Sequence, residues 1–331
     1  MKNKFSTHAM TGMAFLILCL ATACSPKLNF QAKHVVFISA EEEYRSEESL
    51  PMLARILKRE TGARVSFCFS VDSLGFINPN NAQSIQGLEQ LQQADLVVIF
   101  ARFRAIPPEQ LKYITDYVES GRPIVGLRTS THTFLYKDDP ARQHLNNAWP
   151  AKVFGQQWIT HHGHFDDGKK PLTDVTLNAE QATHPILRGV TPFQAYSWLY
   201  HVDGGAWQLQ GDCTPLLTGH ALKSQHAQDG NLDKYPLTNP VAWTKTYTGT
   251  SGKTARVFFT TLGHPYDFRD PSMRKLVLNG MIWALGAEQL LPRRGMSAKT
   301  AKAYEPGNSG FGERYRKGVR AGEVMRNRDK K

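Results

Sequence analysis

The chain has 331 residues, 41% of them hydrophobic and 21% charged, enough apolar material for at least one full core and too much for a disordered protein. Its formal charge of +11 is concentrated at one end: residues 293–331 hold twelve Lys or Arg against four Asp or Glu, and residues 1–292 hold 28 against 25. The nearly neutral body gives no basis for nucleic acid as a partner, and the basic tail reads as a solvated arm able to meet anionic surfaces.

Lys2 and Lys4, the apolar run Met13–Leu20 and then Ala-Thr-Ala-Cys-Ser follow the order of an export signal over residues 1–23. The run is too short for a permanent membrane span. Leu20-Ala21-Thr22-Ala23 ahead of Cys24 resembles a bacterial lipobox, which makes Cys24 the candidate lipidation site and membrane anchor of a periplasmic lipoprotein, with ordinary cleavage as the alternative. Cys68 and Cys213 would be the remaining thiols of the mature chain, free to pair in an oxidising compartment but read as two independent buried groups.

From there strand and helix signals alternate, as a mainly parallel sheet with helices on both faces requires. A strand is expected over His34–Ser39, a helix over about Glu47–Glu60 stopped by Gly62, and strands over Val65–Ser70 and Asp95–Ala101. Pro107 and Pro108 open a helix closed by Gly121, and Pro123–Leu127 is a fourth strand that ends abruptly in Arg-Thr-Ser-Thr-His. Between Trp149 and Tyr247 the pattern loosens into a region rich in His, Pro and Gly, with short strands at Thr173–Leu177 and Val241–Thr244. A strand over Arg256–Leu262 and a helix over Pro271–Leu285 restore regularity, and the tail from 292 to 331 has no periodicity, so it is expected to be extended or mobile.

Ligands of open α/β sheets sit beyond the carboxyl ends of the strands. That rule selects four loops carrying Glu43, Tyr44, Arg45, Arg104, Arg128, Thr131, His132, His264 and Asp267, a set suited to hydroxyls and to developing negative charge. Taken singly, each of these is as well explained by an ordinary loop hydrogen bond. The string WITHHGHFDD, Trp158–Asp167, adds His161 and His162 as candidates for proton transfer or polar contact. It lacks a Cys or a helical His pair, so no metal and no other cofactor is assigned. There is no Gly-rich phosphate loop and no GxSxG elbow.

GRPIVGLRTSTHTF, THHGH followed by HPILRGV, then PVAWTKTY, GKTARVFFTTLGH and DPSMRKLVLNGMIWALG stand in the order and approximate spacing of the ThuA-like (trehalose-utilisation) family. The resemblance spans about residues 33–291. AEEEYRSEESLP and YEPGNSGFG are similar to segments of an exported branch found in bacteria that degrade complex sugars. It implies a class I glutamine amidotransferase-like, flavodoxin-like fold without the amidotransferase Cys, His and Glu. Family members usually carry His where this chain has Arg128, and an Asp-Glu pair near Ser197 and Trp198; His162, His264 and Tyr200 match family positions.

The resemblance therefore implies processing of a sugar or keto-sugar by acid/base chemistry without a Cys nucleophile. Arg128 would stabilise an oxyanion or enolate, His162 and His264 would move protons, and Glu43, Tyr44 and their neighbours would bind hydroxyls. A non-catalytic carbohydrate-binding lipoprotein and a His-rich metal-dependent hydrolase remain the alternatives.

Overall fold

The structure, a computed structural model, describes residues 29–163, 165, 167–203 and 208–325. The export signal and Cys24 lie outside the described residues. In chain order the strands and α-helices are β1 (His34–Ala40), α1 (Ser46–Thr61), β2 (Arg64–Ser70), β3 (Ile85–Gln86), β4 (Leu96–Ala101), α2 (Pro108–Glu119), β5 (Ile124–Leu127), α3 (Ala148–Phe154), β6 (Gln157–His161), β7 (Thr173–Leu177), β8 (Phe193–Ala195), β9 (Tyr200–Asp203), β10 (Thr214–Ala221), α4 (Gln225–Gln228), β11 (Thr238–Thr248), β12 (Thr254–Thr260) and α5 (Pro271–Ala284). The expected strands and helices of both regular stretches are present, and the loosened region supplies β6 to β10.

Ten strands form one sheet in the order β3-β2-β1-β4-β5-β12-β11-β10-β7-β8, and β6 pairs with β9 separately. The neighbours from β2 to β12 run parallel; β11, β10, β7 and β8 extend the sheet antiparallel. The central strands are buried on both faces because their residues alternate between two cores. Val35, Phe37, Leu96 and Val98 pack with Leu50 and Leu53 of α1 and Leu276 and Leu278 of α5. Val36, Ile38, Val97 and Ile99 pack on the other face with Ile114 of α2 and Val153 of α3. Gly126 is required in β5 because a Cβ there would lie 2.5 Å from the Phe259 ring.

The three non-glycine residues at positive φ among the described residues are Arg45 (54°), Phe103 (51°) and Arg128 (38°). They follow β1, β4 and β5, so backbone strain, of order 1–3 kcal/mol at each such residue, is gathered on the carboxyl rim of the sheet. The tail is extended, as expected, but the described part is fastened down rather than free. Met296 N–H donates to Asn279 Oδ1 at 2.8 Å, Gly307 N–H to Glu48 Oε2 at 3.1 Å, Gly310 N–H to the Glu43 carbonyl at 2.8 Å, and Ile77 N–H to the Val319 carbonyl at 2.8 Å. Its route crosses the rim because the loop after β1 offers carbonyls and carboxylates that the sheet does not use.

Candidate functional site

The loop after β1 is built around Glu41. Its buried carboxylate accepts the N–H groups of Glu43 (2.9 Å), Tyr44 (2.8 Å) and Ser46 (3.1 Å), which fixes the direction of Glu43 and Tyr44. Burial is the main cause raising the Glu41 pKa to about 7, with Glu42 adding to it. Glu42 in turn ties this loop to the loop after β4 through Arg102 and Arg104.

Arg128 stands where β5 turns into a short 3-10 helix, the strand–turn–helix elbow that holds the nucleophile in many α/β enzymes. Here the elbow residue is a fully buried guanidinium. Its Nη1 donates to the carbonyls of Thr261 (2.8 Å) and Trp198 (3.3 Å), and Nη2 donates to the Tyr44 hydroxyl at 3.1 Å. The guanidinium carbon lies 4.3 Å from the Tyr44 ring centre and 4.5 Å from that of Tyr200, so the cation is held between two phenols. Among the described residues no carboxylate comes within ion-pair distance of it. Burial pushes both phenols up, Tyr200 to about 12, while Arg128 pulls each back down.

Imidazoles and aromatic rings continue from this sandwich. His132 stands 4.9 Å from Phe103, 5.3 Å from Trp158 and 6.3 Å from Tyr200, measured between ring centres. His161 stands 5.1 Å from Trp198 and 6.4 Å from Tyr200. Burial first, then Arg102 and Arg128, hold the His132 pKa well below the usual imidazole value, so the ring is neutral at pH 7. The Thr131 hydroxyl donates to the Arg128 carbonyl and meets His132 Nδ1 at 3.0 Å. With that hydroxyl proton committed, His132 Nδ1 is the donor and Nε2 is left able to accept.

His162 does not join this group. It follows β6, where successive side chains take opposite sides, so His161 faces Tyr200 while His162 turns to Ser224 (2.8 Å from Nδ1) and to His226, 5.3 Å between ring centres. Burial, then His226 and His201, lower its pKa to about 4. The proton-transfer role expected of His162 is not supported by its position, and it is the adjacent imidazole of His161 that stands beside Trp198 and Tyr200.

His264 reaches the rim, 6.3 Å from the Tyr44 ring, but both ring nitrogens are engaged. Nδ1 accepts from Tyr266 N–H at 3.1 Å as the cap of a 3-10 helix, and Nε2 donates to Ser309 Oγ at 3.1 Å. Ser309, in the tail, passes its own proton to Asp167 Oδ1 at 2.6 Å. The bond from His264 is the leading cause of the lowered Asp167 pKa. Asp267 closes the same cap and accepts from the backbone of Tyr196, Ser197, Gly263 and His264.

Arg45 and Arg104 are likewise consumed inside the protein, Arg45 by the Glu42 and Gly310 carbonyls, Arg104 by Ser70, Pro79, Asn81 and Glu42. Ser130 is no nucleophile: its Oγ donates to the Ile99 carbonyl at 3.0 Å and accepts from Ala101 N–H, locking the elbow to β4. Among the described residues, the polar groups of the rim that keep capacity for a ligand include the Glu43 carboxylate, the Tyr200 hydroxyl and His132 Nε2. Phe103, Trp158 and Trp198, which wall them, carry no motif of their own in the sequence. Two hollows lie elsewhere, one of about 370 Å³ between α1 and the tail and one of about 680 Å³ beside the start of α2. Neither borders Arg128, and neither gathers the chemical groups found on the rim. Among the described residues no three His, Cys, Asp or Glu side chains are grouped to hold a metal ion.

A central parallel sheet with helices on both faces and a strained elbow on its carboxyl rim defines a flavodoxin-like α/β protein. The family model described as ThuA, trehalose utilisation, matches residues 34–284, and the chain belongs to that family. Among solved structures it is similar to a protein described as ThuA-like from Parabacteroides merdae, with 17% identity and a TM-score of 0.51 over 86% of this chain and 98% of that one. A second protein described as ThuA-like, from Bacteroides uniformis, has 16% identity and a TM-score of 0.48 over 77% of this chain and 92% of that one. No curated protein matches the sequence.

Proposed function

We propose that the protein acts on a sugar or keto-sugar by acid/base chemistry, at the rim formed by the loops after β1, β4, β5 and β12 together with β6 and β9. The observation that carries this reading is the Arg128 cation held between Tyr44 and Tyr200 at the elbow. A buried positive charge with no carboxylate at ion-pair distance favours negative charge developing on an oxygen nearby. The flat rings of Trp158, Trp198 and Phe103 offer the apolar faces on which sugar C–H groups stack, and Glu43, His132 and His161 offer hydrogen-bonding partners. Among the described residues no thiol takes part: Cys68 and Cys213 are free, and each donates to a carbonyl away from the rim. Incubation of purified protein with a panel of disaccharides and 3-keto-glycosides, read by mass spectrometry, tests the reading. Conversion of a keto-glycoside supports it, and neither conversion nor binding of any member rejects it.

A purely carbohydrate-binding role is favoured by one feature, the full engagement of Arg128 and His264 by protein partners. Retention of a sugar without turnover distinguishes it. We further propose that the chain is exported and anchored through Cys24; Cys24→Ser should release it from the membrane fraction of a native host, and unchanged association rejects the anchor.

A further inference from the structure

The groups first expected to move protons are occupied or turned away, and this leaves a short set of candidates. Both Nη atoms of Arg128 are bonded and its Nε is sealed from solvent without a partner. His264 has no nitrogen to spare, and His162 faces the opposite side of β6. Glu43 differs from all of these. It is buried, its carboxylate makes no side-chain hydrogen bond by geometry among the described residues, and Arg102 Nε lies 3.7 Å away. The Tyr200 side chain makes only ring contacts among the described residues, so its hydroxyl has no hydrogen bond there while its ring lies against Arg128.

We propose that Glu43 is the proton-abstracting base of this rim and that the Tyr200 hydroxyl receives the oxygen on which charge develops, the substrate being a sugar with a ketone beside an acidic C–H. This rests on the keto-sugar reading above. One cation serves both groups. Through its bond to the Tyr44 hydroxyl, Arg128 orients the phenol that neighbours Glu43; across the Tyr200 ring it makes that hydroxyl a stronger donor. Arg128 is thereby a positioning residue and not one that touches substrate. In the step itself the Glu43 carboxylate takes the proton from the carbon next to the ketone. The C–H electron pair becomes the C=C bond of an enolate, and the carbonyl π pair moves onto the oxygen facing Tyr200. The proton on Glu43 then returns to carbon, or passes to an alkoxide expelled from the β-carbon as the ketone re-forms. No oxidant or further reactant is needed.

The test is exchange of the α-hydrogen of methyl 3-keto-β-D-glucopyranoside for deuterium in neutral heavy water, followed by proton NMR against an enzyme-free control. Wild type should catalyse the exchange. Glu43→Gln should slow it by about 100-fold or more and Tyr200→Phe by roughly 10- to 100-fold, while calorimetric affinity for the keto-sugar stays within about fivefold. Glu43→Asp should keep part of the rate, and His162→Gln, on the far side beside Ser224 and His226, should stay within about fivefold of wild type. Should Glu43→Gln fail to fold, Glu43→Asp replaces it, and an unchanged rate overturns the proposal because a carboxylate one methylene shorter reaches the carbon less well. A folded Glu43→Gln that exchanges at the wild-type rate, or loss of exchange with His162→Gln alone, also overturns it. Conversion of the keto-sugar without α-exchange rejects Glu43 as base and leaves the sugar reading standing; neither binding nor conversion rejects both.

Discussion

The Arg128 guanidinium lies against the Tyr44 ring, 4.3 Å from its centre, and donates to the hydroxyl of the same residue at 3.1 Å. The contact joins the elbow after β5 to the loop after β1, so one side chain supplies both a charge and a brace. Arg128→Lys keeps the charge but loses the planar fork and at least one of the two carbonyl bonds. Urea unfolding should show a loss of about 2–4 kcal/mol, as expected when a buried charged hydrogen-bonding group is disrupted. Full burial of the guanidinium is the source of this cost. An Arg128→Lys protein as stable as wild type would show that the guanidinium is not the brace.

His161 and His162 form a matched pair of controls. His161→Asn removes an imidazole beside Trp198 and Tyr200 and should weaken sugar binding or turnover by about tenfold or more, the scale of one lost polar contact in a site. His162→Asn should leave both within about twofold, since that ring points to Ser224 and His226. Calorimetry and turnover of the two variants side by side decide between them. The reverse order of effects would return His162 to the site.

The tail is expected to behave as part of the folded body. Truncation after Pro292 removes the backbone bonds to Asn279, Glu48, Glu43 and Ile77. It should cost more than about 3 kcal/mol and lower the melting temperature by roughly 10 °C for a body of this size. A shift of only a degree or two in a thermal melt would mean that the tail contributes little. Ser309→Ala is the local version. It removes the hydroxyl between His264 and Asp167, and the Asp167 carboxylate should then titrate closer to its ordinary value in carbon-detected NMR.

Stability should fall as pH rises above neutrality. Glu47 is buried near the start of α1, neither carboxylate oxygen has a hydrogen-bond partner, and Arg45 Nε is 3.9 Å away. Burial raises its pKa to about 8, and Glu41 is raised to about 7, against 4.5 for the unfolded groups. A raised folded pKa means that the native state holds the extra proton, so the stability this gives is complete below pH 4.5 and is lost as pH climbs through 7 and 8. The buried imidazoles of His132, His162 and His201 have lowered pKa values and work in the opposite direction, but only up to their ordinary 6.5. Above that the acids alone set the slope. Urea midpoints should therefore fall between about pH 6.5 and 8.5, by about 1–3 kcal/mol, and Glu47→Gln should remove more than half of the change. A flat wild-type profile would show that Glu47 is ionised in the fold.

Much of the fold was legible in the sequence because it is written in local rules. His34–Ser39 and Asp95–Ala101 are uncharged inside and bounded by turn residues, Pro107–Pro108 and Gly121 bracket a helix, and each appears within a residue or so of its expected bounds. The same alternation placed the loops of Glu43, Arg104, Arg128 and His264 on one rim, since parallel strands of one sheet must end together. In the loosened region β7 stands at its expected bounds, Thr173–Leu177, whereas β6, β8, β9 and β10 were not expected, since neither period nor composition marks them.

What the sequence by itself determined is the alternating α/β order, the elbow without a thiol and the family motifs. Which atoms of the rim are open to a ligand was decided only by tertiary structure. Whether His161 or His162 faces Tyr200 depends on the register of β6 against β9, where a shift of one residue exchanges the two sides. Whether His264 or Glu43 has an atom to spare depends on Ser309 and Tyr266, and Ser309 lies 45 residues further along the chain than His264. Hydrogen-bond capacity is spent on whichever partner the fold brings near, and no local pattern records that choice.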